Sequence, residues 1–118
     1  LGGAIFHVHI KDCRTDPRNL RLQGIFDLTP LDQPERRSWM WTLIGWGHDE
    51  LFWREFLTAL RLVGYEGALS IEMECDYIAN IEGLKKSVEF LKPMLLSDAP
   101  KDGERWWQLA GFESLVND

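Results

Sequence analysis

The chain has 118 residues, enough for one small domain, and its apolar content of 45% is ordinary for a globular protein. The net charge of −6 argues against a general nucleic-acid binder and against a protein that binds anionic membranes. No apolar run approaches the ~18 residues that span a bilayer. Cys13 and Cys75 form no CxxC motif, and we expect them to be reduced in a cytoplasmic protein without a signal peptide.

The first strand is predicted from about Ala4 to Ile10, where β-branched and aromatic residues alternate with polar ones. A long polar and aromatic segment follows, from Asp12 to about His48. It contains Pro17, Pro30 and Pro34 and shows no periodic pattern, which is typical of a functional loop.

A helix is predicted from about Glu50 to Val63, because its apolar residues recur on one broad helical face. Asp49 is placed to cap its start, and Gly64 is a typical C-terminal glycine. A second strand is predicted from about Ala68 to Met73.

A second helix is predicted from about Ile81 to Leu95, with Asn80 as its cap. We expect it to end before Pro93 or to kink there. Its apolar stripe consists of Leu84, Val88, Leu91 and Leu95.

The order strand, helix, strand, helix predicts an α/β fold in which a right-handed crossover makes the strands parallel. Two such strands need further strands beside them, so we expect the later part of a longer protein. Residues 1–96 then form one body of β/α units. Residues 97–118 are predicted as a linker with a short helix from about Glu104 to Leu115, which carries Trp106 and Trp107.

Each strand has one polar face. Alternation places these side chains together: His7, His9 and Lys11 in the first strand, and Ser70, Glu72 and Glu74 in the second. His9 and Glu72 lie near carboxyl ends of parallel strands, where (β/α) barrels carry their chemistry, so together they are candidates to hold a divalent metal. The competing interpretation is structural, because most HxH patterns on strands bind no metal and strand-end glutamates are usually solvated or salt-bridged.

Three motifs occur in a fixed order: HVHIKDCR, GWGHDELFWREFLTALRLVGYEGALSIEME and IEGLKKSVEFLKP. Over residues 4–95, this combination resembles the C-terminal part of xylose isomerase-like barrel proteins, and more closely their sugar phosphate isomerase/epimerase branch. The resemblance implies that the chain supplies the last two strand–helix units of a TIM (β/α)8 barrel, which is incomplete as given.

The resemblance also implies a divalent metal cofactor, with Mn, Mg, Co and Zn all compatible with the ligand types. Typical ligands in the family are two glutamates, an aspartate and a histidine. His9 and Glu72 match two of them, and the others are expected before Leu1. Candidates for substrate binding are His7, Lys11, Arg14, His48 and Glu74.

The activity implied is that of a sugar isomerase or epimerase, in which Glu72 moves a proton next to a carbonyl through an enediolate and His9 is a ligand only. The expected partner is a small-molecule sugar or sugar phosphate, with no nucleic acid and no membrane, and a homo-oligomer stays open. We expect this chain alone to be inactive, because a full barrel takes about 250 residues.

Three alternatives stay open. An inosose-type dehydratase of the same family would use much the same residues. An abasic-site endonuclease shares the barrel but needs more metal ligands and a basic surface for DNA, which the acidic balance disfavours. A non-catalytic, truncated barrel fragment would keep the helices without the chemistry.

Overall fold

The computed structural model describes residues 2–98 together with Lys101 and Glu104. Within them lie the strands and helices β1 Val8–Ile10, β2 Asp12–Thr15, α1 Pro17–Gln23, β3 Trp39–Thr42, α2 Glu50–Leu62, β4 Leu69–Ile71 and α3 Asn80–Leu91. Single 3₁₀ turns occur at Gly2–Ala4, Pro34–Arg36 and Lys92–Met94. Apart from Glu104, the predicted helix from Glu104 to Leu115 lies outside the described residues. None of the helices described is long and apolar enough to cross a membrane.

Strands β1 and β4 pair in parallel, as the crossover through α2 predicts. His9 lies opposite Ser70 in this register, and the ladder continues where the N–H of Glu72 donates to the carbonyl of Ile10 at 2.9 Å. Both strands are shorter than predicted, because only three residues of each are paired within the described part of the chain. Phe6 lies within the predicted first strand, but it precedes β1 and is 90% exposed.

The apolar face of the β1–β4 sheet packs against α2 and α3. The buried core cluster consists of Ile10, Ile44, Trp53, Leu57, Leu91 and Met94, with Val8, Leu69 and Ile71 packed against it. One face of each strand therefore lies under helices, which leaves the opposite, polar face open.

Helix α2 begins and ends as predicted to within one residue. The Asp49 carboxylate accepts a hydrogen bond from the N–H of Phe52 at 3.0 Å. Gly64 follows the helix with φ +76°, a left-handed conformation that glycine adopts without steric cost. Local capping signals therefore fix this helix.

Helix α3 differs from the prediction at its start. Asn80 is its first residue rather than its cap, and Ala79 occupies the cap position without a side-chain hydrogen bond. The helix ends at Leu91, before Pro93 as expected, and a 3₁₀ turn carries the chain past Pro93. Proline cannot donate to the preceding turn, which accounts for this end.

The buried face of α3 consists of Gly83, Ser87 and Leu91. The predicted stripe is therefore wrong for Leu84, Val88 and Leu95, which are 38%, 44% and 48% exposed, and Leu95 also lies beyond the end of the helix. Small residues on this face let the helix approach its neighbours closely. A Cβ at position 83 would lie 2.3 Å from the Cε of Met73. Close approach therefore decides which face is buried, more than the apolar count does.

The segment predicted as a long loop contains regular structure, so that prediction is wrong. Strands β2 and β3 form an antiparallel pair, with Cys13 opposite Trp41. Helix α1 lies between them, capped by the Asp16 carboxylate, which accepts from the N–H of Arg18 and the N–H of Asn19 at 2.9 Å each. The pairing joins residues more than twenty positions apart, which short-range periodicity does not reveal.

Candidate functional site

The polar face of the β1–β4 sheet brings the predicted side chains together in pairs. His7 Nε2 lies 2.8 Å from the Ser70 hydroxyl oxygen, and the ring of His7 packs edge-on against that of His9. His9 Nδ1 lies 3.6 Å from Oε2 of Glu72. His9 thus reaches the residue two positions beyond its backbone partner Ser70, a diagonal contact that long side chains make across a sheet.

The next group along the face is an ion cluster formed by Lys11, Glu72 and Glu74. Its Nζ donates to Oε1 of Glu72 at 2.9 Å and to Oε2 of Glu74 at 2.6 Å. The same ammonium lies 4.0 Å from the centre of the Trp41 ring on β3, within the range of a cation–π contact. The β1–β4 sheet and the β2–β3 pair therefore meet at Lys11.

The contacts of this cluster shift the pKa values of Lys11 and Glu72. The hydrogen bond from the Lys11 ammonium, and then its charge, hold the pKa of Glu72 below the ordinary value for a glutamate. The hydrogen bond to Glu74 raises the pKa of Lys11. At neutral pH, Glu72 is therefore ionised, as both metal ligation and proton acceptance require.

His9 and Glu72 fit the role of two metal ligands. Two donors that bind one ion at about 2.1 Å each lie about 3.0–3.4 Å apart at octahedral or tetrahedral angles, close to the 3.6 Å observed. Both side chains are exposed on the open face. Among residues 2–98, 101 and 104, no group of three or more His, Cys, Asp or Glu side chains could hold an ion. The described part of the chain supplies at most two ligands to such a site.

Arg14 and His48 lie apart from this cluster. Arg14 is exposed on β2, opposite Met40, and its side chain makes no hydrogen bond or ion pair with another described residue. His48 stacks on the ring of Phe52 with centroids 4.2 Å apart, and its Nδ1 lies 2.7 Å from Oδ1 of Asp12. Substrate binding by these two residues stays a prediction.

Asp12 is the most highly connected side chain of this region, and sequence reasoning missed it. The residue is 1% exposed, and its carboxylate accepts five hydrogen bonds. Oδ1 accepts from the N–H of Cys13 at 2.8 Å and from the His48 ring. Oδ2 accepts from the N–H groups of Gly45, Gly47 and His48 at 2.9, 3.1 and 3.2 Å. A buried carboxylate thus holds the loop that leads into α2.

Gly45 and Gly47 are required in this loop because neighbouring atoms lie too close to their Cα atoms to admit a side chain. A Cβ at Gly47 would lie 2.0 Å from the carbonyl oxygen of Cys13, and a Cβ at Gly45 would lie 2.6 Å from the Phe90 ring. Gly45 also has φ +88°. The GWGHD motif is therefore a loop built around Asp12, and an aspartate directly after the first strand was the signal available for finding it.

A cavity of about 350 Å³ opens beside the ion cluster. It is lined by Leu31, Trp41, Met73, Glu74, Cys75, Asp76 and Asn80.

Both cysteines are free thiols, and burial raises the pKa of Cys13, which disfavours a thiolate nucleophile there. The Tyr77 hydroxyl is hydrogen-bonded to Thr42, and burial raises its pKa.

Parallel strands with helices on one face and polar side chains at the strand ends are typical of part of a (β/α) barrel. The family model described as a xylose isomerase-like TIM barrel matches residues 1–94, and the chain belongs to this family. The family includes sugar isomerases and epimerases as well as abasic-site endonucleases. Its fold confirms the predicted fold class, and within the described residues the barrel is not closed.

The chain is also similar to the uncharacterized protein YfiH of Bacillus subtilis (strain 168). The two are 37% identical over 92 residues. The match covers 78% of this chain and 29% of YfiH, so the chain spans less than a third of the length of this relative.

Proposed function

We propose that the full-length protein is a divalent-metal-dependent sugar isomerase or epimerase, and that His9 and Glu72 are two of its metal ligands. The observation that carries the proposal is the 3.6 Å separation of His9 Nδ1 and Glu72 Oε2 at neighbouring ends of two parallel strands. Membership of the family supports it, since that family contains enzymes of this class.

In the proposed reaction, an ionised Glu72 takes the proton from the carbon next to the substrate carbonyl. The electron pair of the broken C–H bond forms the double bond of an enediolate while the carbonyl electrons move onto the oxygen, and an acid returns a proton to the other carbon or to the other face. A divalent ion held there would supply Lewis-acid polarisation of the substrate oxygens. His9 would hold the ion and takes no part in proton transfer. The ion pair with Lys11 keeps Glu72 ionised at neutral pH.

The test uses the full-length protein loaded with Mn²⁺ and a panel of free and phosphorylated ketohexoses in deuterated water. Isomer formation is measured by chromatography, and deuterium in the product reports proton exchange at carbon. We expect Glu72→Gln to lower turnover by about 10²–10⁴-fold, the usual contribution of a general acid or base, with unchanged circular dichroism.

The matched control is Glu66→Gln, because Glu66 is an exposed carboxylate paired with Arg61 at 2.8 Å, outside the cluster. This variant should keep full activity. Turnover within about twofold of wild type in Glu72→Gln would remove Glu72 from the proposed mechanism. A wild-type protein that binds no Mn²⁺ and interconverts no sugar of the panel would refute the proposed function.

A further inference from the structure

We propose that Lys11 is a positioning residue for Glu72 and does not bind substrate. The inference rests on the proposed function of Glu72 as a metal ligand. From sequence alone, Lys11 is a candidate to hold substrate hydroxyls, a carboxylate or a phosphate. The contacts of its ammonium group assign it a different role.

The first argument concerns the partners of the ammonium. A lysine has three N–H donors, and two of them donate to Glu72 and Glu74 at 2.9 and 2.6 Å. The face of the Trp41 ring lies 4.0 Å away on another side, and the Lys11 side chain is only 19% exposed. Two carboxylates more than compensate its single charge. Little donor capacity or net positive charge is left for an anionic substrate.

The second argument concerns the two oxygens of Glu72. Lys11 donates to Oε1, whereas Oε2 is the oxygen that lies nearest the His9 ring. The ammonium therefore fixes the rotation of the carboxylate and directs one oxygen toward the imidazole. Glu72 is otherwise an exposed, flexible side chain, and ordering it costs conformational entropy when an ion binds. Holding it in place beforehand lowers that cost, as hydrogen-bonded partners of metal ligands commonly do.

The third argument concerns what holds Lys11. Glu74 contacts it from the chain segment that follows β4, and Trp41 contacts it from β3. The lysine thus connects three separate segments of the chain at the strand ends. The β2–β3 pair, which the sequence analysis did not predict, contributes to the site through this contact.

The experiment compares Mn²⁺ affinity, measured by isothermal titration calorimetry, in full-length wild type and Lys11→Met. We expect affinity to fall about 10- to 100-fold, the usual range for loss of a group that orients a ligand. At saturating Mn²⁺, kcat should fall while the KM for the sugar stays within about twofold. The matched control is Lys86→Met, which removes an exposed lysine near Glu82 on α3 and should leave both quantities unchanged.

Glu74→Gln is the second variant, because it leaves Lys11 in place and removes one of its two carboxylate partners. We expect a smaller loss of Mn²⁺ affinity, about 2- to 10-fold. Unchanged Mn²⁺ affinity in both variants, with a raised KM in Lys11→Met, would overturn the inference and restore Lys11 as a substrate-binding residue. Failure of the proposed function would instead be visible in the wild-type protein, which would then bind no metal or turn over no sugar.

Discussion

Substituting Asp12 by asparagine removes the charge of a carboxylate that accepts five hydrogen bonds while buried. An amide keeps one oxygen and replaces the other with a donor. The less costly orientation places the amide oxygen at Oδ2, where it still accepts from the loop that contains Gly45, Gly47 and His48. The NH₂ group then faces the N–H of Cys13, and two donors oppose each other.

The magnitude follows from these contacts. The unsatisfied N–H of Cys13 costs about 1–3 kcal/mol. The three bonds that remain at Oδ2 lose the assistance of a full charge, at about 0.5–1 kcal/mol each. The His48 ring can adopt the other tautomer and accept from the new NH₂ group, which limits the loss there. An amide also has a smaller desolvation penalty than a carboxylate, so we expect a net loss of about 2–4 kcal/mol in the free energy of unfolding.

The assay is urea unfolding of the full-length protein, followed in parallel by tryptophan fluorescence and circular dichroism. Asp49→Asn is the matched control, because it makes the same chemical change at an exposed cap that accepts one hydrogen bond, from Phe52. Asparagine caps helices about as well as aspartate, so the control should lose less than about 0.5 kcal/mol. If Asp12→Asn loses no more than the control, the buried carboxylate does not hold the loop as described.

Two further predictions concern stability. Hydrogen bonds from Thr29 and Ser38 lower the pKa of Asp27 from its ordinary value of 3.8. The contribution of the ionised Asp27 to the free energy of unfolding is therefore complete above pH 3.8 and is lost as the pH falls toward the lowered pKa. The urea midpoint of wild type should therefore fall more steeply between about pH 5 and about pH 3 than that of Asp27→Asn, and equal slopes would contradict this assignment. Gly47→Ala should lower the free energy of unfolding by about 1–3 kcal/mol or more in the same urea assay, because its Cβ would meet a backbone carbonyl of β2. The control is Gly3→Ala, whose Cβ enters open space and should cost under about 0.5 kcal/mol. Equal losses in the two variants would contradict the steric argument.

The predicted proximity of His9 and Glu72 is present in the structure, and the reason is physical. Side chains alternate along a strand, and a helical crossover between neighbouring strands is right-handed and makes them parallel. Those two rules place both side chains on one face at one end of the sheet without any knowledge of the tertiary contacts. Whether they bind a metal stays a prediction, because no third possible ligand joins them among the described residues.

The sequence by itself determined those features that depend on residues only a few positions apart in the chain. Asp49 and Gly64 set the ends of α2, because capping satisfies backbone groups of the first and last turn. The polar and apolar faces of β1 and β4 follow from a two-residue period. The same local rules failed at Asn80, where cap-forming chemistry was available but another residue occupies the cap position.

Only the tertiary structure decided which distant groups satisfy one another. It paired β2 with β3, buried Asp12 among the N–H groups of a loop more than thirty residues away, and gave Lys11 two carboxylate partners more than sixty residues away. A lysine or an aspartate carries the same charge in any context, so its sequence neighbours do not reveal its partner. The partner is set by how the strands and helices pack, because a buried or half-buried charge is stable only where that packing brings hydrogen-bonding groups to it.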